Sequence, residues 1–329
     1  MAIKNKLTSL IIPIIIALFN IFLVMHPVEM VAAATDGVQL WFNNVLPALL
    51  PFVVGANLLA GLGFIHFLGA IMSPVMTPLF KVPGAGAFAL LTGLTSGYPM
   101  GAKAVAQLRE TGQISRLEAQ RLIAFTNNAG PLFIVGFVGT GLFGSARAGY
   151  LMLVSHIVAA VGVGLVFRFL WQEESAYAHK GALREAFLQY EKFRKDNETG
   201  FGHVLGNSVK NAMESMVLIG GFIILFCVVI KALEIGGLFY LFSNMSQIAG
   251  GFTSGLIEVA NGAKMIARGG PPNQAALAAT VAIISFGGFS VHGQTAHFLR
   301  QTDIKFGPYL LAKCLQACTA GAVCWFLAG

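Results

Sequence analysis

The chain has 329 residues, of which 56% are hydrophobic and only 11% charged, with a mean hydropathy of +0.74. A soluble domain carries about 25% charged residues, so there is too little charge here to cover a water-facing surface. The formal charge of +7 does not point to nucleic acid, because much of the basic surplus sits at the N-terminus and in loops between apolar runs, where it sets topology.

Long apolar runs recur without period-two alternation. In lipid every backbone donor and acceptor must be satisfied within the protein, which together with that pattern predicts an all-α polytopic membrane protein. The first run, Leu7–Met25, follows Lys4 and Lys6. It is uncharged and longer than the roughly 7–15 residues of a signal-peptide core, so it reads as a first span with its N-terminus in the cytoplasm. The next loop holds Glu29 and Asp36 but no Lys or Arg, as expected outside. Val38–Leu62 and Phe64–Phe80 read as further spans. Lys81–Glu110 is an apolar half-helix, an interruption at Ser96-Gly97-Tyr98-Pro99, and a second half-helix. A linker with Arg109, Arg116 and Arg121 fits the cytoplasm. After it comes a second interrupted helix, broken at Asn127-Asn128-Ala129-Gly130-Pro131, and then a span from Arg147 to Trp171.

Gln172–Gly202 is the one extended polar stretch and mixes charges of both signs, as a solvated linker does. Beyond it lie spans at Met213–Leu233 and Ile235–Gly250, interruptions at Glu258–Gly262 and Gly287–Gln294, and a last span at Gly307–Leu327. The reading divides the chain into 1–37 (N-terminal span and outer loop), 38–171 (first repeat), 172–212 (polar cytoplasmic linker) and 213–329 (second repeat). The repeat is visible as Gly101-Ala102-Lys103 recurring at Gly262-Ala263-Lys264, a shift of 264 − 103 = 161. The same shift carries Phe125 onto Phe286 and Arg147 onto Pro308. With about five spans each, the two copies run in opposite directions. That is the inverted-topology arrangement of many secondary transporters, in which broken helices meet near the midplane. About eleven spans result, unless some interrupted segments are re-entrant hairpins.

Interrupted helices at matched positions point to a binding site, because irregular backbone at membrane depth must be covered by protein or line a cavity. Ser96, Tyr98, Asn127, Asn128, Asn261, Ser290 and Gln294 are therefore candidate solute contacts. The paired amides of Asn127 and Asn128 suit a base edge or sugar hydroxyls; they would equally satisfy the backbone opened by Pro131. Glu258, a charge mid-span, and His292 are candidate couplers of H⁺ or Na⁺. Glu258 is also open to pairing with Lys103 or Lys264, and His292 to a purely structural role. Cys227, Cys314, Cys318 and Cys324 have no histidine or carboxylate at ligand spacing, so no metal site is expected, and no cofactor. No P-loop, HExxH or GxSxG is present, and the chain is not expected to be an enzyme.

The stretch SGYPMGAK, the run FTNNAGPLFIVG and GLIEVANGAK together resemble the Gate-domain, or nucleoside-recognition, membrane proteins, specifically the YlbJ type of sporulation integral membrane protein. The resemblance extends over most of residues 40–329, with Gly93–Gly144 its most specific part. It implies a polytopic membrane protein distantly related to concentrative nucleoside transporters and to the membrane part of ferrous-iron transporters, in a group linked to spore formation. No transporter substrate residue maps onto a numbered position here. The expectation is a plasma-membrane permease for a small polar solute, such as a nucleoside or nucleobase, working by alternating access. The alternative is a non-transporting scaffold or assembly factor in spore or envelope maturation. The implied partners are the solute and membrane lipids, with a homo-oligomer left open.

Overall fold

A computed structural model describes residues 2–170, 190, 191, 193, 200–237 and 246–329. Among them the fold is all helical, and the exposed large apolar side chains (Ile12, Val158, Phe326 among them) belong to a lipid-facing surface. Most of residues 172–199 of the expected 172–212 linker, and residues 238–245 of the expected Ile235–Gly250 span, lie outside the described residues.

The first elements are α1 (Ala2–Met25), α2 (Pro27–Leu40), a π-helix π1 (Trp41–Val45), α3 (Leu46–Gly61) and α4 (Phe64–Phe80). The chain bends by 103° between α1 and α2 at His26. From Pro27 to Gly61, α2, π1 and α3 follow one another without interruption. Their neighbour is α9 (Phe201–Ile235), which takes in residues 201–212 of the segment expected to be linker. The two run antiparallel. Gly37 lies against Ile224 and Cys227, Trp41 against Gly220, and Gly61 against Val204, while the Asn57 amide donates to the Ser208 carbonyl at 3.2 Å.

The segment Lys81–Glu110 does not cross. It folds into α5 (Gly86–Ser96) and α6 (Met100–Glu110), which reverse at Gly97-Tyr98-Pro99 and pack against each other. Eleven residues span about 16 Å, half of a hydrocarbon core of about 30 Å, so neither arm is long enough to cross alone. Glycines allow the contact: a methyl built on Gly93 would sit 3.3 Å from the Gly101 Cα. The second half repeats this with α10 (Gln247–Ile257) and α11 (Val259–Ala267), where Gly255 meets Gly262 and Gly251 meets Ile266. Both segments were expected as broken crossings. The hairpins replace them because the backbone reverses where extended half-helices were anticipated, and the count of about eleven spans falls accordingly. Four described helices are long and apolar enough to cross a membrane, or five if the bent α1–α2 pair is one span.

At the other two interruptions the half-helices continue end to end, and of these pairs Gln274–Leu299 is long and apolar enough to cross a membrane. α7 (Arg116–Thr126) and π2 (Leu132–Leu142) lie end to end along α8 (Ala146–Phe167): Phe125 meets Gly164, and Gly139 meets Gly149. Likewise α12 (Gln274–Phe286) and α13 (Gly288–Leu299) lie along α14 (Phe306–Ala328), with Gln274 donating to the Trp325 carbonyl and Thr295 beside Tyr309. α7 begins at the end of the molecule where Gln120 bonds Lys305; α12 begins at the end where α14 finishes. Hence α7–π2 and α12–α13 run in opposite directions.

α7 starts with a capping box. Ser115 accepts from the Glu118 amide and Glu118 from the Ser115 amide, an arrangement worth about 1 kcal/mol. At the same end Arg109 grips Asp303 through two bonds of 2.9 Å. The guanidinium holds the Asp303 carboxyl below the usual aspartate range. Its contribution is therefore complete above the unfolded-state value near 3.9 and is lost as the pH falls through the lower folded-state value. Both groups are partly exposed. Asp303→Asn should cost less than about 1 kcal/mol at neutral pH. Thermal unfolding should show that loss shrinking at high salt and at pH 3.

Candidate functional site

Each interruption carries a device for its freed backbone groups. Glu258 is the N-cap of α11: its carboxylate accepts from the amides of Ala260 at 3.1 Å and Asn261 at 2.8 Å. A carboxylate suits the positive end of a helix, and this explains how a charge sits mid-membrane with no basic residue within ion-pair distance among the described residues. The carbonyl of Thr126, at the end of α7, is held between Gly93 and Gly101 of the first hairpin, and Gly97 at its tip sits on Gly130. In the second half Gly288, with φ +68°, packs on the carbonyls of Gly255 and Ile257 at the corresponding place.

The four interruptions converge on one cavity of about 510 Å³. Gly97 and Tyr98 come from the first hairpin tip, Ala129 and Gly130 from the α7–π2 break, Glu258 and Val259 from the second tip, and Ser290 and Gln294 from α13. Phe133 and Phe137 of π2 add an aromatic wall, the Tyr98 and Phe133 rings lying 6.4 Å apart and the Phe133 and Phe137 rings 5.5 Å. The Tyr98 hydroxyl is buried without a hydrogen-bond partner. Gln294 donates to Ser290 at 3.3 Å, leaving its amide oxygen for another donor. The chemistry on offer is an apolar, aromatic chamber with a carboxylate, a hydroxyl and an amide in its wall.

Not every expected residue faces it. Tyr98, Glu258, Ser290 and Gln294 line the cavity; Ser96, Asn127, Asn128, Asn261 and His292 do not. Ser96 is buried with its hydroxyl unpartnered. Asn261 is half-buried and donates to the Cys227 sulfur at 3.3 Å. Asn127 and Asn128 are fully buried behind the break, in a polar network. Asn127 donates to Thr295 and Tyr309, both at 3.0 Å. Asn128 donates to the Phe125 carbonyl at 2.7 Å and accepts from Gln316 at 2.9 Å. His292 joins through Tyr309 at 3.1 Å, its ring edge-on to Phe286. His156 accepts the Ala129 amide at Nε2, which leaves Nδ1 to donate to Ser285 at 2.7 Å. The two coupling candidates are thus separated: Glu258 stands in the cavity wall and His292 in the network behind it.

Sequence reasoning missed Asn43 and Asn44 of π1, which also line the cavity, and it missed Lys313 and Gln316 of α14, which belong to the network behind the break. The signal was present for each: an amide pair inside an apolar run, and a lysine in the middle of a span, which is costly unless it serves a purpose.

A second, larger cavity of about 850 Å³ lies further along the same helices. Residues Asn207, Asn211, Glu214 and Ser215 of α9, and Lys103, Gln107 and Glu110 of α6, line it together with His297 and Gln301. It is polar and reaches the end of the molecule that carries Arg109. Lys103 bridges from α6 to α9, donating to Ser215 at 2.8 Å, just where this cavity gives way to buried Met100 and Met216 and then to the first.

An all-helical fold with several apolar, membrane-length helices around a central chamber defines a polytopic integral membrane protein. The family described as "Gate: Nucleoside recognition" matches residues 42–145. The chain is 33% identical to the sporulation integral membrane protein YlbJ of Bacillus subtilis (strain 168), over 95% of this chain and 81% of that one. It belongs to the YlbJ family. No solved structure matches it.

Proposed function

We propose that the protein is a secondary permease of the plasma membrane that moves a small polar solute by alternating access. The observation that carries this is the 510 Å³ chamber into which all four interruptions open; a scaffold would have them packed shut. The antiparallel course of α2–α3 against α9, and of α7–π2 against α12–α13, supports two inverted repeats whose hairpin tips meet at the chamber. The arginine-bearing end, with the polar vestibule, then faces the cytoplasm, as does the N-terminus. Lys103, Met100 and Met216 form the closed layer between vestibule and chamber. Tyr98, Phe133 and Phe137 offer ring faces, and Glu258, Ser290 and Gln294 offer acceptors and donors, so a nucleoside or nucleobase fits the lining. Glu258 is the chamber's candidate proton or cation coupler.

The second reading is a membrane component of spore or envelope maturation that transports nothing. It is supported by the relative's designation as a sporulation protein. A thermal-shift screen of the purified protein against nucleosides, nucleobases, amino acids and dicarboxylates separates the two. A solute at a hundred times its Kd stabilises the folded state by about 2.7 kcal/mol. We expect one class to give such a shift and Glu258→Gln to lose it, read against that variant's own unliganded midpoint, which falls because the amide keeps one of the two cap acceptors and turns a donor toward the other backbone N–H. If no class gives a shift, the scaffold reading gains; a full shift in Glu258→Gln removes the carboxylate from the site.

A further inference from the structure

Lys313 lies midway along α14, is 1% exposed, and has no carboxylate within 4 Å among the described residues. A buried charge without a counter-charge costs several kcal/mol even after relaxation, and more is at stake within a membrane. Its Nζ donates instead to two neutral oxygens, the Asn127 carbonyl at 2.8 Å and Gln316 Oε1 at 2.5 Å. Gln316 is turned that way because its Nε2 donates to Asn128 Oδ1. Asn127 is the C-cap of α7, with φ −89° and ψ 85°, so its carbonyl is one that the break has released from the helix. The negative end of the α7 dipole lies at this place. A third oxygen belongs to the same residue: Asn127 Oδ1 is fully buried and has no hydrogen-bond partner.

Neutral carbonyl and amide oxygens at an unwound helix are the donor set that binds hard monovalent cations. Here a tethered cation already occupies it. We propose that the Lys313 ammonium is a built-in substitute for a dissociable alkali-metal ion at the α7 break, and that removing it opens a site for a free monovalent cation. The inference stands whether or not the protein transports a solute. Within the transport reading it excludes Na⁺ from this site and leaves the Glu258 carboxylate to carry any coupling.

The test compares thermal midpoints of purified protein in sodium, ethylammonium and choline chloride at one ionic strength. Wild type should be indifferent to the exchange. Lys313→Ala should be destabilised in choline and raised by several degrees in sodium or ethylammonium, whose ions fit the vacated space. Lys313→Met, which fills that space without charge, should be destabilised and show no such rise. Equal midpoints of Lys313→Ala in all three salts would overturn the proposal, as would Lys313→Met matching wild type. Should Lys313→Ala not fold, wild type decides: a rise specific to sodium over choline contradicts an occupied site, and indifference together with a weakened Lys313→Met upholds it.

Discussion

Gly93→Ala and Gly262→Ala each lower stability by about 3 kcal/mol, the upper part of the range for overpacking a close contact. At Gly93 an added methyl meets the carbonyl oxygen of Thr126, and at Gly262 it meets the backbone of Gly255 and the Gly251 carbonyl. These obstacles are main chain, not the movable ends of side chains, so at Gly93 the first hairpin must draw away from the end of α7 and at Gly262 the arms of the second must separate. In lipid, helix association depends on such close packing because burial from water adds nothing between two apolar helices. These movements also displace Gly97 and Glu258 respectively, so any solute-induced stabilisation should weaken with the fold. Gly162→Ala and Gly206→Ala, which meet nothing within 4 Å, are the controls and should leave the midpoint in detergent unchanged.

Asn128→Ala is expected to cost about 1–3 kcal/mol for each of the two buried groups it orphans, the Phe125 carbonyl and the Gln316 amide. The network transmits the damage, since Gln316 so released no longer presents Oε1 squarely to Lys313. Asn128 does not line the chamber. Whatever fraction of the variant remains folded should therefore bind solute with unchanged affinity. A ligand titration at a temperature below the lowered midpoint measures this. Loss of affinity without loss of stability would place Asn128 in the solute site after all.

The contrast between Asn128 and Glu258 marks where the sequence could be read and where it could not. Apolar run length exposed the membrane fold, and the 161-residue recurrence of Gly-Ala-Lys located paired interruptions, because both are one-dimensional signals. The same signals could not separate a hairpin from a broken crossing. Gly97-Tyr98-Pro99 reverses the chain whereas Asn127–Gly130 only interrupts it, and the difference lies in what packs alongside: Gly101 against Gly93 in one case, the full length of α8 in the other. Nor does one-dimensional position tell which side of a break a side chain faces. Ser290 and Gln294 share one face of α13 and line the chamber, while His292, between them, points into the network. Lys313 was readable as an anomaly, yet its partners come from α7, far away in sequence.

The proposed inverted repeats require the two hairpins to enter from opposite faces of the membrane and to meet at the shared chamber. In a background with Cys227, Cys314, Cys318 and Cys324 replaced, single cysteines at Thr111 and Pro271, both exposed in turns beside the open ends of the two hairpins, report it directly. A membrane-impermeant maleimide applied to intact cells should label Pro271→Cys and spare Thr111→Cys until the membrane is opened. Labelling of both positions from the same side would contradict the account.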